Sequence, residues 1–248
     1  MRALEYKFAP NENYEDLSCG RVIYHRTGFS NFPVRLASEI FMRCFELIRE
    51  SHKQVSIYDP CCGGGYLLTV LGFLHQDQIM SIYGSDISLD ATQLAERNLS
   101  LLTTEGLLKR KEQLEGIYSS YHKESHLDAI KSVSNLLGCT REKMKYHVFN
   151  RDVLSSKPTP IKLVVDIIIT DVPYGDLVSW SNAATVENRS HIDKMLDQLL
   201  ENLSDDGIVA ISSDKRQKIS NSNYKRIKKF QVGKRKIEIL RKAQSYRE

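Results

Sequence analysis

The chain has 248 residues, of which 41% are hydrophobic, and its formal net charge is +4. That apolar share is enough for a sizeable core and excludes wholesale disorder, while the lack of a long apolar run excludes a membrane span. The five cysteines are odd in number, and neither cysteines nor histidines cluster at zinc-site spacing, so we expect no disulfide framework and no metal. The first residues are not the apolar stretch of a signal peptide, so we predict a cytoplasmic protein.

Hydrophobic periodicity in the first part of the chain predicts alternating helices and strands. After an irregular start, apolar residues recur at three- and four-residue spacing over residues 36–48, which is typical of a helix. Residues 55–59 predict a short buried strand, followed by a glycine cluster and a helix over residues 67–74. A strand over residues 81–86 and a helix over residues 90–102 continue the alternation.

The middle of the chain interrupts this alternation once. Residues 104–144 are charged and helix-prone, and we predict an inserted pair of helices there. Residues 146–149 then lead to Asp152 as a third strand. Residues 164–171 are dominated by β-branched side chains, so they predict the strongest strand in the chain.

The last third of the chain predicts one more helix and three strands. Apolar residues form a helical stripe over residues 192–203, and Asp205-Asp206-Gly207 predicts a turn before a strand over residues 208–212. Residues 230–232 and 237–240 flank Gly233 and are predicted to pair as a terminal hairpin.

This order of elements predicts an α/β fold with a parallel sheet and helices on both faces. We predict one domain over residues 1–248, with an extension and helix over 1–50, the helical insertion over 104–144 and a basic segment over 214–248. In such sheets ligands bind beyond the carboxyl ends of the strands. Four aspartates are expected at that rim, each at a strand end: Asp59, Asp86, Asp152 and Asp171.

Charge is distributed unevenly along the chain. Residues 214–248 contain 13 Lys and Arg but three acids, a net charge of +10, which leaves −6 for the remainder. A basic end on an acidic body suggests a polyanionic partner such as nucleic acid. A merely solvated basic surface is an equally good explanation of the charge alone.

The glycine cluster lies at a strand-to-helix turn with the sequence DPCCGGG over residues 59–65. Glycines let a backbone turn tightly and approach a ligand, and amides that open a helix favour negative charge. Asp86 lies 21 residues beyond Gly65, near the offset at which an acid binds a ribose. A dinucleotide site would need glycine where Leu68 stands, so that alternative fails, whereas an ordinary glycine-rich turn stays open.

A second motif, Asp171-Val172-Pro173-Tyr174, follows the strongest predicted strand. Proline fixes the backbone and stiffens the turn, and a tyrosine face can stack on a planar base. An acid beside an aromatic ring therefore suits recognition of a base edge. The alternative is an ordinary strand exit with a tyrosine packed in the core.

Other side chains near these motifs are compatible with RNA contacts. Arg35 could bind a phosphate or carboxylate, or form a surface pair at the start of its helix. Phe32 is either a stacking platform or a core residue, and Trp180, the only tryptophan, either meets a base or caps the core.

Three stretches resemble the AviRa family of avilamycin-resistance rRNA methyltransferases. They are DPCCGGGYLLTVL at residues 59–71, FPVRLASEIF at 32–41 and TDVPYG at 170–175. The likeness extends over roughly residues 21–240 and includes the helical insertion. The sequence departs from the wider pattern of amino-methyltransferases at Val172, where they have proline, and the segment from about Ser212 also diverges.

The resemblance implies a Rossmann-like class I methyltransferase fold. This is a doubly wound, mostly parallel seven-stranded sheet with an antiparallel C-terminal hairpin. It also implies S-adenosyl-L-methionine as the donor and N1 of a guanine in 23S rRNA as the acceptor, with orthosomycin resistance if that base lies in the drug site. The expected partner is 23S rRNA or the large ribosomal subunit, bound by a monomer.

The motifs and the resemblance together name the candidate site residues. The catalytic candidates are Asp171, Pro173 and Tyr174, with Asp171 accepting the proton of the base nitrogen. Candidates for binding the cofactor are Asp59, Cys61, Cys62, Gly63, Gly65, Tyr66, Asp86, Ile87 and Asp152. Candidates for binding RNA are Arg35, Phe32, Trp180, Lys215 and Arg216.

Two alternatives stay open at this point. One is an N-methyltransferase that acts on another RNA or DNA base or on a protein amide. The other is a non-catalytic RNA-binding protein that keeps a relic cofactor site.

Overall fold

The computed structural model describes residues 4–29, 31–50, 53–140, 144–173 and 190–243. Within these ranges, no helix is both long enough and apolar enough to cross a membrane. The helices are α1 (Val34–Phe45), α2 (Tyr66–Leu74), α3 (Leu89–Ser100), α4 (Thr104–Tyr121), α5 (Glu124–Cys139) and α6 (His191–Leu199). The strands are β1 (Val55–Asp59), β2 (Ile79–Asp86), β3 (Lys145–Asn150), β4 (Val165–Asp171), β5 (Leu203–Asp214), β6 (Tyr224–Val232) and β7 (Arg235–Lys242).

The strands form one sheet in the order β3-β2-β1-β4-β5-β7-β6. The first five strands in that order pair in parallel, whereas β7 pairs antiparallel with both β5 and β6. Strand β1 lies inside the sheet, β2 and β3 follow it on one side, and β4 to β7 form the other side. The predicted doubly wound, mostly parallel sheet with a C-terminal hairpin is therefore confirmed.

The sheet is buried on both faces by helices, and side-chain alternation decides which residue goes where. On β4, Ile167 and Ile169 belong to a hydrophobic cluster that includes residues of α1 to α5. Ile168 lies between them in sequence and belongs to the opposite cluster, with Leu196 of α6 and Val209 of β5. Both faces of the central strands therefore need apolar residues, which explains their continuous β-branched runs.

The segment before α1 is attached to that helix through one buried carboxylate. Glu39 accepts hydrogen bonds from the backbone amides of Lys7, Phe8 and Ala9 at 2.8–2.9 Å, and from Nε of Arg43 at 2.7 Å. Burial alone would raise the pKa of Glu39, but these hydrogen bonds lower it below its usual value. The segment is thereby held against the body of the protein.

The turn predicted at residues 205–207 falls inside the bounds of β5, at a place where the strand does not run regularly. Leu203 pairs with Val165, and Ile208 pairs with Ile167, with a register shift between the two pairs. Five residue steps on β5 thus match two on β4, so three residues of β5 leave the regular ladder there. A Cβ atom on Gly207 would lie 2.7 Å from the Leu203 side chain and 3.0 Å from the Ser204 carbonyl oxygen. Residues three or four positions apart in a straight strand are separated by about 10 Å or more, so the backbone turns between Leu203 and Gly207, as predicted.

Two other boundaries differ from the expectation. The helix predicted over residues 192–203 ends at Leu199, and a short 3-10 turn over Leu200–Asn202 leads into β5. Strand β3 ends at Asn150, so Asp152 lies two residues beyond the strand and not at its end.

Candidate functional site

A cavity of about 460 Å³ opens at the carboxyl ends of β1, β2 and β4. Asp59, Asp86 and Asp171, the last residues of these strands, all line it. Described residues of the N-terminal segment between Cys19 and Phe32, among them Tyr24 and Phe29, form an opposing wall. Three of the four predicted carboxylates therefore share one cavity, as the parallel topology requires.

The glycine turn between β1 and α2 is compact because helix α3 packs directly on it. Gly65 has a φ of +72°, and a Cβ atom there would lie 2.9 Å from the backbone and side chain of Ala95. A Cβ atom on Gly64 would lie 2.7 Å from Leu94. Glycine at Gly65 is thus required both by its left-handed conformation and by the neighbouring helix.

The carboxylate of Asp86 binds the same turn. Its Oδ2 accepts a hydrogen bond from the amide of Gly63 at 2.9 Å, and its Oδ1 accepts one from the amide of Ser88 at 2.9 Å. Each carboxylate oxygen has a second lone pair, so Asp86 can also accept from a ligand in the cavity. Ile87 follows with 46% of its surface exposed and gives the cavity an apolar contact beside this acid.

Asp59 is a buried acid at the base of the cavity, with 2% of its surface exposed. It accepts a hydrogen bond from the amide of Cys61 at 3.0 Å. Burial raises the pKa of Asp59 to about 7, and the neighbouring carboxylates of Asp86 and Asp171 contribute to this rise. The site therefore contains a carboxyl group that titrates near neutral pH, which is common where a charged ligand binds.

The two adjacent cysteines line the cavity as thiols. Burial raises the pKa of both Cys61 and Cys62 well above the usual value, and the nearby carboxylates of Asp59 and Asp86 add to this. Only thiolates are good nucleophiles and metal ligands. Their place in the site is therefore one of shape and packing. The described ranges contain no group of His, Cys, Asp and Glu suited to a metal ion.

The loop after β4 is tied to the C-terminal half of the sheet. The amide of Val172 donates to the carbonyl of Ser212 at 3.0 Å, and the carbonyl of Pro173 accepts from Nε2 of Gln217 at 3.4 Å. Asp171 and Pro173 line the cavity. The predicted partners Tyr174 and Trp180 lie outside the described residues.

Of the remaining candidates, Phe32 and Tyr66 line the cavity. Phe32 is 5% exposed, so it is largely a core residue with one edge at the cavity. The Tyr66 hydroxyl donates to the carbonyl of Leu17 at 2.9 Å and so holds the N-terminal wall, and burial raises the pKa of Tyr66 to about 12.

Five of the predicted residues that the structure describes are absent from the cavity lining. One of them, Gly65, lies in the glycine turn and packs against α3. Arg35 binds the carbonyl of Ala9 and stacks on Tyr6, so its guanidinium contacts the N-terminal segment. Asp152 accepts from the amide of Leu154 in a local turn. Lys215 and Arg216 are exposed just beyond β5, and Nε of Arg216 donates to Asp214.

Sequence reasoning missed Asn98, which joins the glycine turn to the opposing wall. Its Nδ2 donates to the carbonyls of Gly64 at 2.7 Å and Tyr24 at 3.1 Å, and its Oδ1 accepts from the amide of Tyr24 at 2.8 Å. The available signal was a polar residue on the apolar stripe of α3, three residues after Ala95. Sequence reasoning also missed Arg235, which reaches the cavity from β7.

Comparison with known proteins shows to which family the chain belongs. The sequence profile of the rRNA methyltransferase AviRa matches residues 4–235. The chain belongs to the AviRa family of rRNA methyltransferases. It is 32% identical, over 238 residues and 92% of each chain, to the 23S rRNA (guanine(2535)-N(1))-methyltransferase of Streptomyces viridochromogenes.

Structural comparison agrees with this membership of the AviRa family. The structure resembles that of the rRNA methyltransferase AviRa from S. viridochromogenes, solved at 1.5 Å, with a TM-score of 0.82 and 28% identity over 95% of this chain and 96% of that one. The structure also resembles that of a Listeria monocytogenes protein provisionally assigned to the class I S-adenosylmethionine-dependent methyltransferases. The TM-score is 0.53 and the identity 16%, over 91% of this chain and 64% of that one, so this likeness shows a shared fold alone. The protein is thus a methyltransferase with the class I fold.

Gly65→Ala should destabilise the protein by on the order of 2 kcal/mol, because it adds a side chain at a left-handed φ and against Ala95. Urea unfolding measures the change. Gly116→Ala is the matched control, since that glycine is within α4 and a Cβ there meets nothing within 4 Å. It should be stabilising by about 0.5–1 kcal/mol. Equal effects of both substitutions would contradict the argument.

Asp59→Asn should change how stability depends on pH. The folded protein keeps the Asp59 proton up to pH about 7, whereas the unfolded chain loses it near pH 4. The contribution of this group to stability therefore falls as pH rises between these values. Without added ligand, the variant should match the wild type near pH 4 and exceed it at pH 8 by on the order of 4 kcal/mol.

Denaturant unfolding from pH 4 to pH 8 tests this expectation. Asp205→Asn is the control, because Asp205 is an exposed acid within β5 and away from the cavity. That variant should keep the wild-type pH dependence. A difference between Asp59→Asn and the wild type that stays constant across the pH range would refute the assignment.

Proposed function

We propose that this protein transfers a methyl group from S-adenosyl-L-methionine to N1 of a guanine in 23S rRNA. The observation that carries the proposal is the placement of Asp171 in the same cavity as the glycine turn, within a chain of the AviRa family. The relative from S. viridochromogenes is named for that chemistry. A 23S rRNA or large-subunit substrate also fits the predicted cytoplasmic location.

The residues of the cavity fit S-adenosyl-L-methionine. Gly63 and Gly64 of the glycine turn line the cavity, and the helix that begins at Tyr66 favours a carboxylate. Asp59 would face the ammonium group, and Asp86 with Ile87 would hold the ribose and the adenine. When bound, the cofactor supplies a methyl group already activated on sulfur.

The protein then has to align the acceptor and manage one proton. Guanine N1 carries a proton at neutral pH, so a nearby base assists its loss. Asp171 is our candidate, because it ends β4 at the cavity and has 16% of its side chain exposed. Tyr174 would stack on the base. Since N1 lies on the Watson–Crick edge, the target guanine must be unpaired or flipped out.

The C-terminal half of the sheet offers positive charge for the RNA backbone. Edge strand β6 exposes a run of basic side chains, and Lys215 and Arg216 follow β5 on the cavity side of the sheet. Since β7 runs antiparallel to β5, the β6–β7 turn is also at that side. Phosphates bound there would lie beside the cavity, and binding should weaken steeply with salt.

The first test is incubation of 23S rRNA with the protein and labelled donor, followed by mapping of the methylated position. We expect N1-methylguanine. Asp171→Asn should slow single-turnover transfer by roughly 10²–10⁴-fold, because an amide cannot accept the N1 proton. Donor binding, measured by calorimetry, should persist in this variant. Asp205→Asn is the control for loss of a carboxylate.

Several results would count against the proposal. Methylation of another nucleobase atom or of protein, with rRNA unmodified, would refute the substrate. Wild-type rates in the Asp171→Asn variant would refute the role of that carboxylate. Failure to bind the donor at all would favour the relic-site alternative.

Removal of the charges at Lys215 and Arg216 should weaken RNA binding without changing the methylated position. For each RNA phosphate that the variant no longer neutralises, the slope of log affinity against log salt concentration should decrease by about 0.7. Filter binding across salt concentrations measures both effects. Lys131→Ala, on the exposed face of α5, is the control. An unchanged salt slope after removal of both charges would exclude these residues from the interface.

A further inference from the structure

Arg235 is a positively charged residue in the cavity lining, and it belongs neither to the glycine turn nor to the loop after Asp171. It begins β7, and its guanidinium lies 3.8 Å from the Asp171 carboxylate, measured from NH2 to Oδ2. The side chain is 24% exposed and lines the cavity. Its neighbour in sequence, Lys234, is exposed and absent from the cavity lining.

The position of Arg235 is set by the sheet and by an aromatic ring. Its backbone pairs with Asp214 of β5 on one side and with Val232 of β6 on the other. Its guanidinium lies 5.2 Å from the centre of the Phe32 ring, and Phe32 is itself buried. Contact with an aromatic face orients a planar guanidinium. Arg235 therefore presents its donors beside Asp171 from a fixed backbone.

This pair complements one edge of guanine. On that edge the N1–H donor is adjacent to the O6 acceptor. A carboxylate can accept from N1–H while a neighbouring guanidinium donates to O6. Adenine presents the opposite polarity, with an acceptor at N1 and a donor at N6. Asp171 and Arg235 together would therefore favour guanine. They would disfavour adenine, because the Asp171 carboxylate would face the N1 acceptor and the Arg235 guanidinium would face the N6 donor.

The charge of the guanidinium also suits the reaction. Loss of the N1 proton leaves negative charge that is shared between N1 and O6. A positive donor already held at O6 stabilises this charge as it develops, and fixed donors of this kind are among the strongest contributors to catalysis. An amide or a water in the same place would stabilise it less.

We propose that Arg235 is a catalytic and specificity-determining residue that binds guanine O6 while Asp171 binds N1–H. The nitrogen forms its bond to the methyl carbon, Asp171 takes the N1 proton, and the electron pair of the broken methyl–sulfur bond stays on sulfur. Arg235 keeps its own proton throughout. This inference rests on the proposed function and assigns a second residue to the same site.

The test measures single-turnover methylation of 23S rRNA from pH 6 to pH 10 at saturating RNA and donor. In Arg235→Gln, the rate at pH 7 should fall about 10²-fold. The ratio of the wild-type rate to the variant rate should decrease as pH rises. At high pH guanine N1 loses its proton without assistance, so the stabilisation of the negative charge by Arg235 matters less. Arg235→Lys keeps the positive charge and should keep a profile shaped like that of the wild type. Lys131→Gln removes a charge from the exposed face of α5, outside the cavity lining, and should also keep that shape.

A substrate change with the wild-type enzyme gives a second measurement that does not depend on a variant folding. Inosine at the target position keeps N1–H and O6 but lacks the N2 amino group, so it should be methylated within about tenfold of the guanine rate. A decrease above about tenfold would show that N1–H and O6 do not determine recognition and would overturn the assignment of specificity to Asp171 and Arg235.

The outcomes for Arg235 and for the proposed function can be told apart. If the wild type makes no N1-methylguanine in rRNA, the proposed function fails and the role of Arg235 fails with it. If the wild type does make it, but the profile of folded Arg235→Gln is parallel to that of the wild type at every pH, the role of Arg235 alone is refuted. Melting temperature shows whether each variant is folded.

Discussion

The candidate site depends on the contact between the glycine turn and α3. Ala95 lies so close to Gly65 that no side chain fits there, and Asn98 binds the carbonyl of Gly64 one helical turn later. Asp86, at the end of β2, fixes the opposite side of the turn through the amide of Gly63. The turn is therefore held by a helix and a strand that follow it in sequence, so its shape is set by tertiary packing as much as by its glycines.

That contact also positions the rest of the cavity. Asn98 binds both the amide and the carbonyl of Tyr24, which brings the N-terminal wall to the turn. At the other end of the same segment, the buried Glu39 carboxylate accepts hydrogen bonds from three consecutive backbone amides, those of Lys7, Phe8 and Ala9. The irregular backbone of the N-terminal segment is therefore held by specific hydrogen bonds to side chains of α1 and α3.

The electrostatics of the cavity reflect a compromise between stability and binding. Three carboxylates share one cavity, and the buried Asp59 has a pKa raised to about 7. Such a group destabilises the folded protein when it is ionised, and it is useful only if a cation arrives. One cation is supplied within the protein, since Arg235 faces Asp171. On the proposed function, the ammonium group of the cofactor would be the second.

The sequence by itself determined the alternation of helices and strands and the two-sided burial of the sheet, because both follow from local periodicity. It also determined that strands end at Asp59, Asp86 and Asp171 and that these acids meet at one rim, because parallel strands share a carboxyl edge. It did not determine that pairing with β4 begins at Leu203, before the turn at residues 205–207, because that pairing is a tertiary contact. Only the tertiary structure placed Arg235 in the cavity and Arg35 outside the cavity lining. Strand register brings the start of β7 to the ligand-binding edge, whereas the docked N-terminal segment takes up the Arg35 guanidinium. Contacts between residues 64 positions apart, such as those of Asp171 with Arg235, depend on the whole sheet, and local patterns carry no information about them.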